Sequence, residues 1–262
     1  MITLLTTPKP DEFRVPPCLG YCTLGVNEEE QKLGLICENS PGIDPQLRPI
    51  SLLQAIDQLP KPSLTQRIAL AHKIVRCLLY LYSVNWLHKG LRSENIPLFP
   101  LPDGECDVVS PYLTGFDYSR RARFNEATED VPRVGNMEVY RHPDIQMNGP
   151  KPYYRKTFDI YSLGIILIEI AHWRRIASVM SIEDTIDISP KAMSDVQRHL
   201  LSSEPTLLRT LQAEVGNKYS SAVKTYIAAR DSFGVPRLDL ETSSSAIMAI
   251  QQSFNAKAVR LL

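Results

Sequence analysis

Apolar and polar positions fall into distinct local patterns along the chain. Cys18 to Val26 and Lys32 to Cys37 are short runs rich in β-formers around the acidic turn Asn27-Glu28-Glu29-Glu30, and they predict a hairpin. Ser40-Pro41-Gly42 then reads as an irregular exit. Ser51 to Leu59 predicts a short helix stopped by Pro60. Ser63-Leu64-Thr65-Gln66 follows with a capping-box signal, a hydroxyl first and Gln three positions on. It opens a long helix in which Ile68, Ala71, Val75, Leu78 and Tyr82 recur at steps of three and four, one apolar stripe.

Beyond residue 95 the chain changes character. Ile96 to Phe99 and Pro111 to Thr114 predict two short strands, joined by a Pro-Asp-Gly-Glu turn at 102–105. Residues 117–139 are polar and irregular, with a basic half (Arg120, Arg121, Arg123) and an acidic half (Glu126, Glu129, Asp130), the pattern of a mobile segment. Thr157 is placed to cap a helix from Phe158 to about Trp173 that is apolar nearly all round, which predicts a central, buried helix. Helical patterns near 191–201, 205–215, 219–230 and 245–262 complete the chain. The last has a stripe of Ile247, Ile250, Phe254, Ala258 and Leu261. No internal repeat is visible.

Composition narrows the classes. A chain of 262 residues makes one large domain or two small ones, and such a size buries roughly 70 to 75% of the unfolded surface. The 29 basic and 29 acidic side chains cancel, so nothing global draws the protein to nucleic acid or to an anionic membrane. Met1 to Pro8 has no positive charge before its apolar residues and does not read as a signal peptide. The longest apolar run, Ile160 to Ala171, contains Glu169 and falls short of the ~20 residues that cross a bilayer. No transmembrane segment is expected, and a cytoplasmic location follows. The five cysteines (Cys18, Cys22, Cys37, Cys77, Cys106) are odd in number and scattered, suggesting free thiols rather than a disulfide framework or a zinc site.

The chemistry-bearing stretch is His88-Lys89-Gly90-Leu91-Arg92-Ser93-Glu94-Asn95, together with Gly115-Phe116-Asp117. It resembles protein-kinase machinery from which the carboxylates are gone. The kinase signature has an aspartate two residues after the histidine as catalytic base, and a metal-binding aspartate opening an Asp-Phe-Gly triplet. Gly90 and Gly115 stand at those positions. The resemblance extends over roughly residues 15–262. Lys32 to Glu38 is similar to the strand that leads into the interlobe hinge. Ser63 to Val84 is similar to the helix before the catalytic loop. Tyr140-Arg141-His142-Pro143-Asp144 is similar to the Ala-Pro-Glu region, and Phe158-Asp159-Ile160-Tyr161-Ser162-Leu163-Gly164 to the central helix. The wording Trp86-Leu87-His88-Lys89-Gly90-Leu91 and Gly115-Phe116-Asp117-Tyr118-Ser119-Arg120 is similar to kinase-like domains of filamentous fungi found downstream of HeLo or prion-inhibition-type effector modules.

The resemblance implies an α+β, protein kinase-like fold. It would be mainly the α-helical C-terminal lobe (51–262), with a reduced or truncated β N-lobe remnant and hinge (1–50). Before the hinge only Gly20 and Gly25 are glycines, and Lys9 and Lys32 lie in no Val-Ala-Ile-Lys setting, so the nucleotide would have half a roof. Either the small lobe is lost or the chain is a fragment of a longer product. The resemblance implies that His88 packs as scaffold beneath Phe116 and that Asp159 accepts backbone N–H groups near His88 and Lys89; Asn95 stands where the family's second metal-binding residue lies, but one amide oxygen does not hold magnesium alone, and a hydrogen bond within the loop is the preferred reading. No catalytic residue and no resident metal is expected. Lys89 replaces an arginine and cannot offer its bidentate fork.

Of the residues that would touch a cofactor, only Asn95 and Asp117 remain. Asp117 lies two positions past Gly115, displaced by about 6.6 Å in an extended segment, whereas magnesium ligands lie at roughly 2.0 to 2.1 Å. Its use would need a register change. Asp144 replaces a glutamate whose partner would be an arginine, with Arg230 and Arg237 near the expected place; a solvated turn acid is the alternative. Trp86 and Trp173 read as core or lobe-surface aromatics, with nothing marking them as a ligand cage. The leading reading is a pseudokinase, a regulatory module with protein partners and no cofactor, in fungal self/non-self or cell-death signalling. The alternatives are an atypical kinase using ATP and magnesium, or a truncated product that never accumulates folded.

Overall fold

A computed structural model describes residues 5–24, 32–38, 47–122, 135–146, 153–181, 197–198, 201, 205–233, 241 and 243–256. After a 3-10 turn at Asp11–Phe13, strands β1 (Cys18–Leu24) and β2 (Lys32–Cys37) form the expected antiparallel hairpin. Its register runs from Leu24 opposite Lys32 to Cys18 opposite Cys37, with a bulge between Cys18 and Gly20. Val26, the acidic turn and the Ser40-Pro41-Gly42 exit lie outside the described residues.

Strand β3 (Ile50–Ser51) leads into α1 (Leu52–Gln58), and the long helix α2 (Leu64–Ser83) follows. Both helices begin on a capping box, because the first N–H groups of a helix have no partner within it. In α2, Ser63 Oγ accepts from the Gln66 amide at 3.3 Å, and Gln66 Oε1 accepts from the Ser63 amide at 3.0 Å. Ser51 and Gln54 repeat the device at α1. Of the predicted stripe, Ala71, Val75, Leu78 and Tyr82 are buried, and Leu70, Ile74, Cys77 and Leu81 widen it.

Strand β4 (Trp86–Leu87) comes next, then β5 (Pro97–Pro100) and β6 (Cys106–Pro111), which with β3 make a three-stranded sheet in the order β3-β5-β6. The turn falls where expected, with the Gly104 amide donating to Leu101 O at 2.9 Å. The strand expected from Pro111 to Thr114 is displaced: β6 ends at Pro111. Tyr112 and Thr114 still donate to Pro97 O and Asn95 O, but Asn95 and Ile96 give their own amides to Arg92 O and Ser93 O, so the pairing is not returned, and Leu113 donates to Arg14 O. The expectation of an irregular segment from residue 117 also needs correction. Arg120–Arg121 form strand β7, paired antiparallel with β4. Residues 123–134, including Arg123, lie outside the described residues.

A 3-10 segment at Gly135–Tyr140 and the short α3 (Pro143–Gln146) precede the central helix α4 (Lys156–His172), which is buried from Lys156 to Ala171. Thr157 is not its cap. The N-cap is Arg155, without a side-chain hydrogen bond, and the free N-terminal donors are satisfied from a distance. Glu241 accepts from the Thr157 amide at 3.1 Å and from the Thr157 hydroxyl. At the other end, buried Arg67 of α2 donates to Ala171 O, placing a cation at the negative pole of α4.

Beyond α5 (Ile176–Val179) lies α6 (Pro205–Ala228), interrupted at Gly216 (φ 80°, ψ 174°), which matches the two helices expected at 205–215 and 219–230. It packs closely on α4 at Gly164, where an added Cβ would meet Ile227 Cδ1 at 2.8 Å. Then come α7 (Arg230–Phe233) and α8 (Ser244–Phe254). Ile250 and Phe254 of α8 are buried, with the Phe254 ring 5.7 Å from that of Tyr82. Ala258 and Leu261, and most of 191–201, lie outside the described residues. The whole is a mixture of helices and small sheets, consistent with the α+β class. Among the described residues no helix is long and apolar enough to cross a membrane.

Candidate functional site

The site is assembled by α4. The chain leaves β4 at Leu87 and turns at His88 and Lys89, the latter with φ 66°. That left-handed backbone costs a residue with a side chain roughly 1 kcal/mol or more, so something must hold it. Asp159 does. Its fully buried carboxylate accepts from the His88 amide at 2.8 Å, the Lys89 amide at 2.9 Å and the Tyr154 hydroxyl at 2.8 Å. Burial pushes the Asp159 pKa up to about 6, and the three donors oppose that rise. The expected role of Asp159 as the anchor of this loop is what the structure contains.

His88 sits on the loop as a neutral wedge. Its ring centroid is 4.8 Å from that of Phe116, its Nδ1 accepts from the Gly90 amide at 3.2 Å, and its Nε2 lies 2.9 Å from Thr114 O. A single tautomer, with the proton on Nε2, satisfies both contacts. Burial lowers its pKa to about 4, so the ring stays uncharged near neutrality.

Gly90, Asn95 and Gly115 come together beside it. Asn95 Nδ2 donates to Gly90 O at 2.7 Å, and Asn95 O accepts from Thr114 N at 2.9 Å and Thr114 Oγ1 at 3.1 Å. A Cβ built on Gly115 would lie 2.1 Å from Asn95 Nδ2 and 2.2 Å from Asn95 Cγ, and the Gly115 backbone has φ 77°. Both facts admit only glycine there in this loop conformation. Gly90 is less constrained, a Cβ there meeting Gly115 O at 3.1 Å. The Asn95 amide thus fills the space a side chain at 115 would enter, the loop hydrogen bond that the sequence suggested for it.

Asp117 is exposed on the following turn, which the Ser119 amide and hydroxyl close onto Phe116 O at 3.0 and 2.7 Å. Among the described residues no group of three or more His, Cys, Asp or Glu is disposed to hold a metal ion. Asp144 is half exposed and faces His142 Nδ1 at 3.8 Å; the Arg230 side chain and Arg237 lie outside the described residues. Trp86 and Trp173 are both buried, and Trp173 Nε1 donates to Leu59 O at 3.1 Å.

One residue of the site escaped the sequence reading. Glu169, fully buried on α4, accepts from Ser93 Oγ, from Tyr140 OH at 2.9 Å and from the Ile176 amide at 2.8 Å. It ties the His88 loop, the Gly135–Tyr140 segment and the start of α5 to one carboxylate. Burial pushes its pKa up to about 7. The signal was available, since an acid inside an otherwise apolar run needs buried partners.

The α4-anchored loop, with its neutral histidine and closed glycine positions, belongs to an α+β chain whose kinase-like relationship rests on distant sequence similarity. The chain belongs to the family described as Domain of unknown function (DUF7580), whose model matches residues 29–226. Curated relatives are distant protein kinases. The chain is similar to the Arabidopsis thaliana G-type lectin S-receptor-like serine/threonine-protein kinase At1g11330, 28% identical over 47% of this chain and 14% of that protein. It is similar to Mitogen-activated protein kinase 5 of the same plant, 30% identical over 38% of this chain and 23% of that one. For Mitogen-activated protein kinase 14 of Xenopus laevis the figures are 25%, 57% and 36%. The chain spans well under two thirds of the length of each of these relatives.

Proposed function

We propose that this protein is a catalytically silent kinase-like domain, residues 51–262 corresponding to the large lobe and 1–50 to a remnant of the small one, that acts in the cytoplasm by contacting other proteins. The carrying observation is the Asn95 amide lying where a side chain at 115 would begin, 2.1 Å from a Cβ built on Gly115. Phosphoryl transfer depends on positioning and on neutralising phosphate charge, with a carboxylate to orient the acceptor and another to hold magnesium. Here the first position is Gly90 and the second, Gly115, has no room for one. The oxygens that remain, the single amide Oδ1 of Asn95, whose nitrogen is bonded to Gly90 O, and the exposed carboxylate of Asp117, are too few and too far from Gly115 to hold a magnesium–nucleotide complex. His88, neutral and bonded to Thr114 O, serves as packing.

What the site retains is its scaffold: Asp159, Glu169 and the His88–Phe116 contact keep the loops in one shape. A shaped surface without chemistry suits recognition of a protein partner. The resemblance to fungal kinase-like domains beside HeLo or prion-inhibition modules points to a regulatory role in self/non-self or cell-death signalling.

The test is titration of the purified chain with ATP and magnesium, read as a shift in melting temperature, since a ligand that binds the folded state raises it by mass action. The expected result is no magnesium-dependent shift and no transfer of labelled phosphate. A clear shift, with transfer abolished by Asp117→Ala, would establish the atypical-kinase alternative instead.

A further inference from the structure

We propose that Cys18 and Cys37 form a reversible cross-strand dithiol–disulfide pair, a redox modification site on the β1–β2 hairpin. The two residues are direct register partners in the antiparallel ladder. Opposed residues hold their Cβ atoms about 4.5–5.5 Å apart, just outside the ~3.5–4.5 Å of a disulfide. The bulge between Cys18 and Gly20 falls at this pair, so the ladder is already interrupted where the backbone has to give. Both thiols are free, and the Cys18 thiol donates to Gly20 O at 3.2 Å, within the bulge. Cys22, the other cysteine of the hairpin, faces Gly34 and has no thiol opposite.

The two cysteines differ in access, and that difference gives each a role. Cys37 is exposed and Cys18 is buried. With a low-molecular-weight disulfide such as oxidised glutathione as the oxidant, the Cys37 thiolate attacks one glutathione sulfur, forms a mixed disulfide and releases one glutathione thiolate. The Cys18 thiolate then attacks the Cys37 sulfur of that mixed disulfide, forming the protein disulfide and releasing the second glutathione. Two protein thiols are oxidised, one glutathione disulfide is reduced to two thiols, and two protein protons go to the departing thiolates or solvent.

Lys9 completes the cluster. Its ammonium donates to Leu5 O at 2.6 Å and Thr7 O at 2.8 Å, and its charge is felt by both sulfurs. Burial and the neighbouring Cys18 raise the Cys37 pKa while Lys9 opposes the rise, so Cys37 rests as a thiol rather than as a standing thiolate.

Equilibration of the full chain, in a Cys22→Ser background, with reduced and oxidised glutathione followed by peptide mass analysis tests this. The expected product is a peptide pair linked through Cys18 and Cys37, two hydrogen masses lighter than its reduced parts, reversed by excess reduced glutathione and lost in Cys37→Ser. Cys37→Ser alters an exposed side chain, so the test survives if Cys18→Ser fails to fold. A stable glutathione adduct on Cys37 with no internal link, a link only between chains, or in the parent chain a Cys22–Cys37 link in place of this one would overturn the proposal.

Discussion

Inside α4, two carboxylates lie fully buried and each is surrounded by donors: Asp159 by the His88 and Lys89 amides and the Tyr154 hydroxyl, Glu169 by Ser93, Tyr140 and the Ile176 amide. The loops that α4 holds have glycine at the two positions where the resemblance to kinases would put acids, and an amide packed between them. The contrast separates two uses of a carboxylate. One that accepts from the protein's own backbone serves the fold, and removing it strands buried donors. One that would meet a cation or a substrate serves chemistry, and a fold can lose it and close the gap. In this chain Asp159 and Glu169 are acids of the first use, and both loop positions are glycine.

The sharpest way to break that contrast is to remove an acid of the first kind. Asp159→Ala leaves two backbone N–H groups and a hydroxyl buried without an acceptor, each worth about 1–3 kcal/mol. Urea unfolding should show a loss of about 3 kcal/mol or more. The complementary experiment puts an acid back. Gly115→Asp must place a Cβ 2.1 Å from Asn95 Nδ2 on a backbone at φ 77°, and should cost about 2–4 kcal/mol. Asn95→Ala in the same chain empties that space, so the double variant should recover about 1 kcal/mol or more relative to the sum of the singles. Additive losses would mean that Asn95 does not close the site.

The buried acids also set a pH dependence. Burial raises Asp159 from 3.8 to about 6 and Glu169 from 4.5 to about 7. Where the folded pKa exceeds the unfolded one, the folded state binds the proton more tightly between the two values. The contribution is therefore fully present below about pH 4 and is lost as pH rises through about 6 for Asp159 and about 7 for Glu169. For these groups the chain should be more stable at pH 5 than at pH 8. Glu169→Gln removes its part of the slope, up to about 3 kcal/mol across that range. The Ser93 and Tyr140 hydroxyls can rotate to suit an amide, while the Ile176 N–H still needs the remaining oxygen. An unchanged slope in Glu169→Gln would assign the pH dependence elsewhere.

Much of this was legible before any coordinates. Capping boxes and three-and-four spacing located α2, the continuous apolar run located α4, and the gap between two helical patterns fell on Gly216. Those are local signals, and local rules decode them. Position Asp159 was readable because an acid on an apolar helix must find donors. What was not legible depends on contacts across the chain. Thr157 has the chemistry of a cap, but its amide and hydroxyl are taken by Glu241, 84 residues away. The strand expected at Pro111 to Thr114 ends early because the facing Asn95 and Ile96 amides close onto Arg92 O and Ser93 O instead of reaching back to it. That Gly115 faces the Asn95 amide is a fact about two loops, and no spacing within either one encodes it.

The smallest predicted effect sharpens the comparison most cheaply. Asp117 is the acid left beside the Gly115 loop, and it is exposed on a turn closed by the Ser119 donors rather than by its own carboxylate. Exposed and, among the described residues, with no buried donor on its carboxylate, it is not an acid of the kind that Asp159 and Glu169 are. Asp117→Ala should leave stability within about 0.5 kcal/mol of the parent, as exposed substitutions do. It should also leave the response to ATP and magnesium unaltered. A loss of more than 1 kcal/mol would make it a structural acid after all, and a magnesium-dependent stabilisation that disappears only in this variant would make it a ligand. Either result would move Asp117 across the divide that separates α4 from the loops it holds.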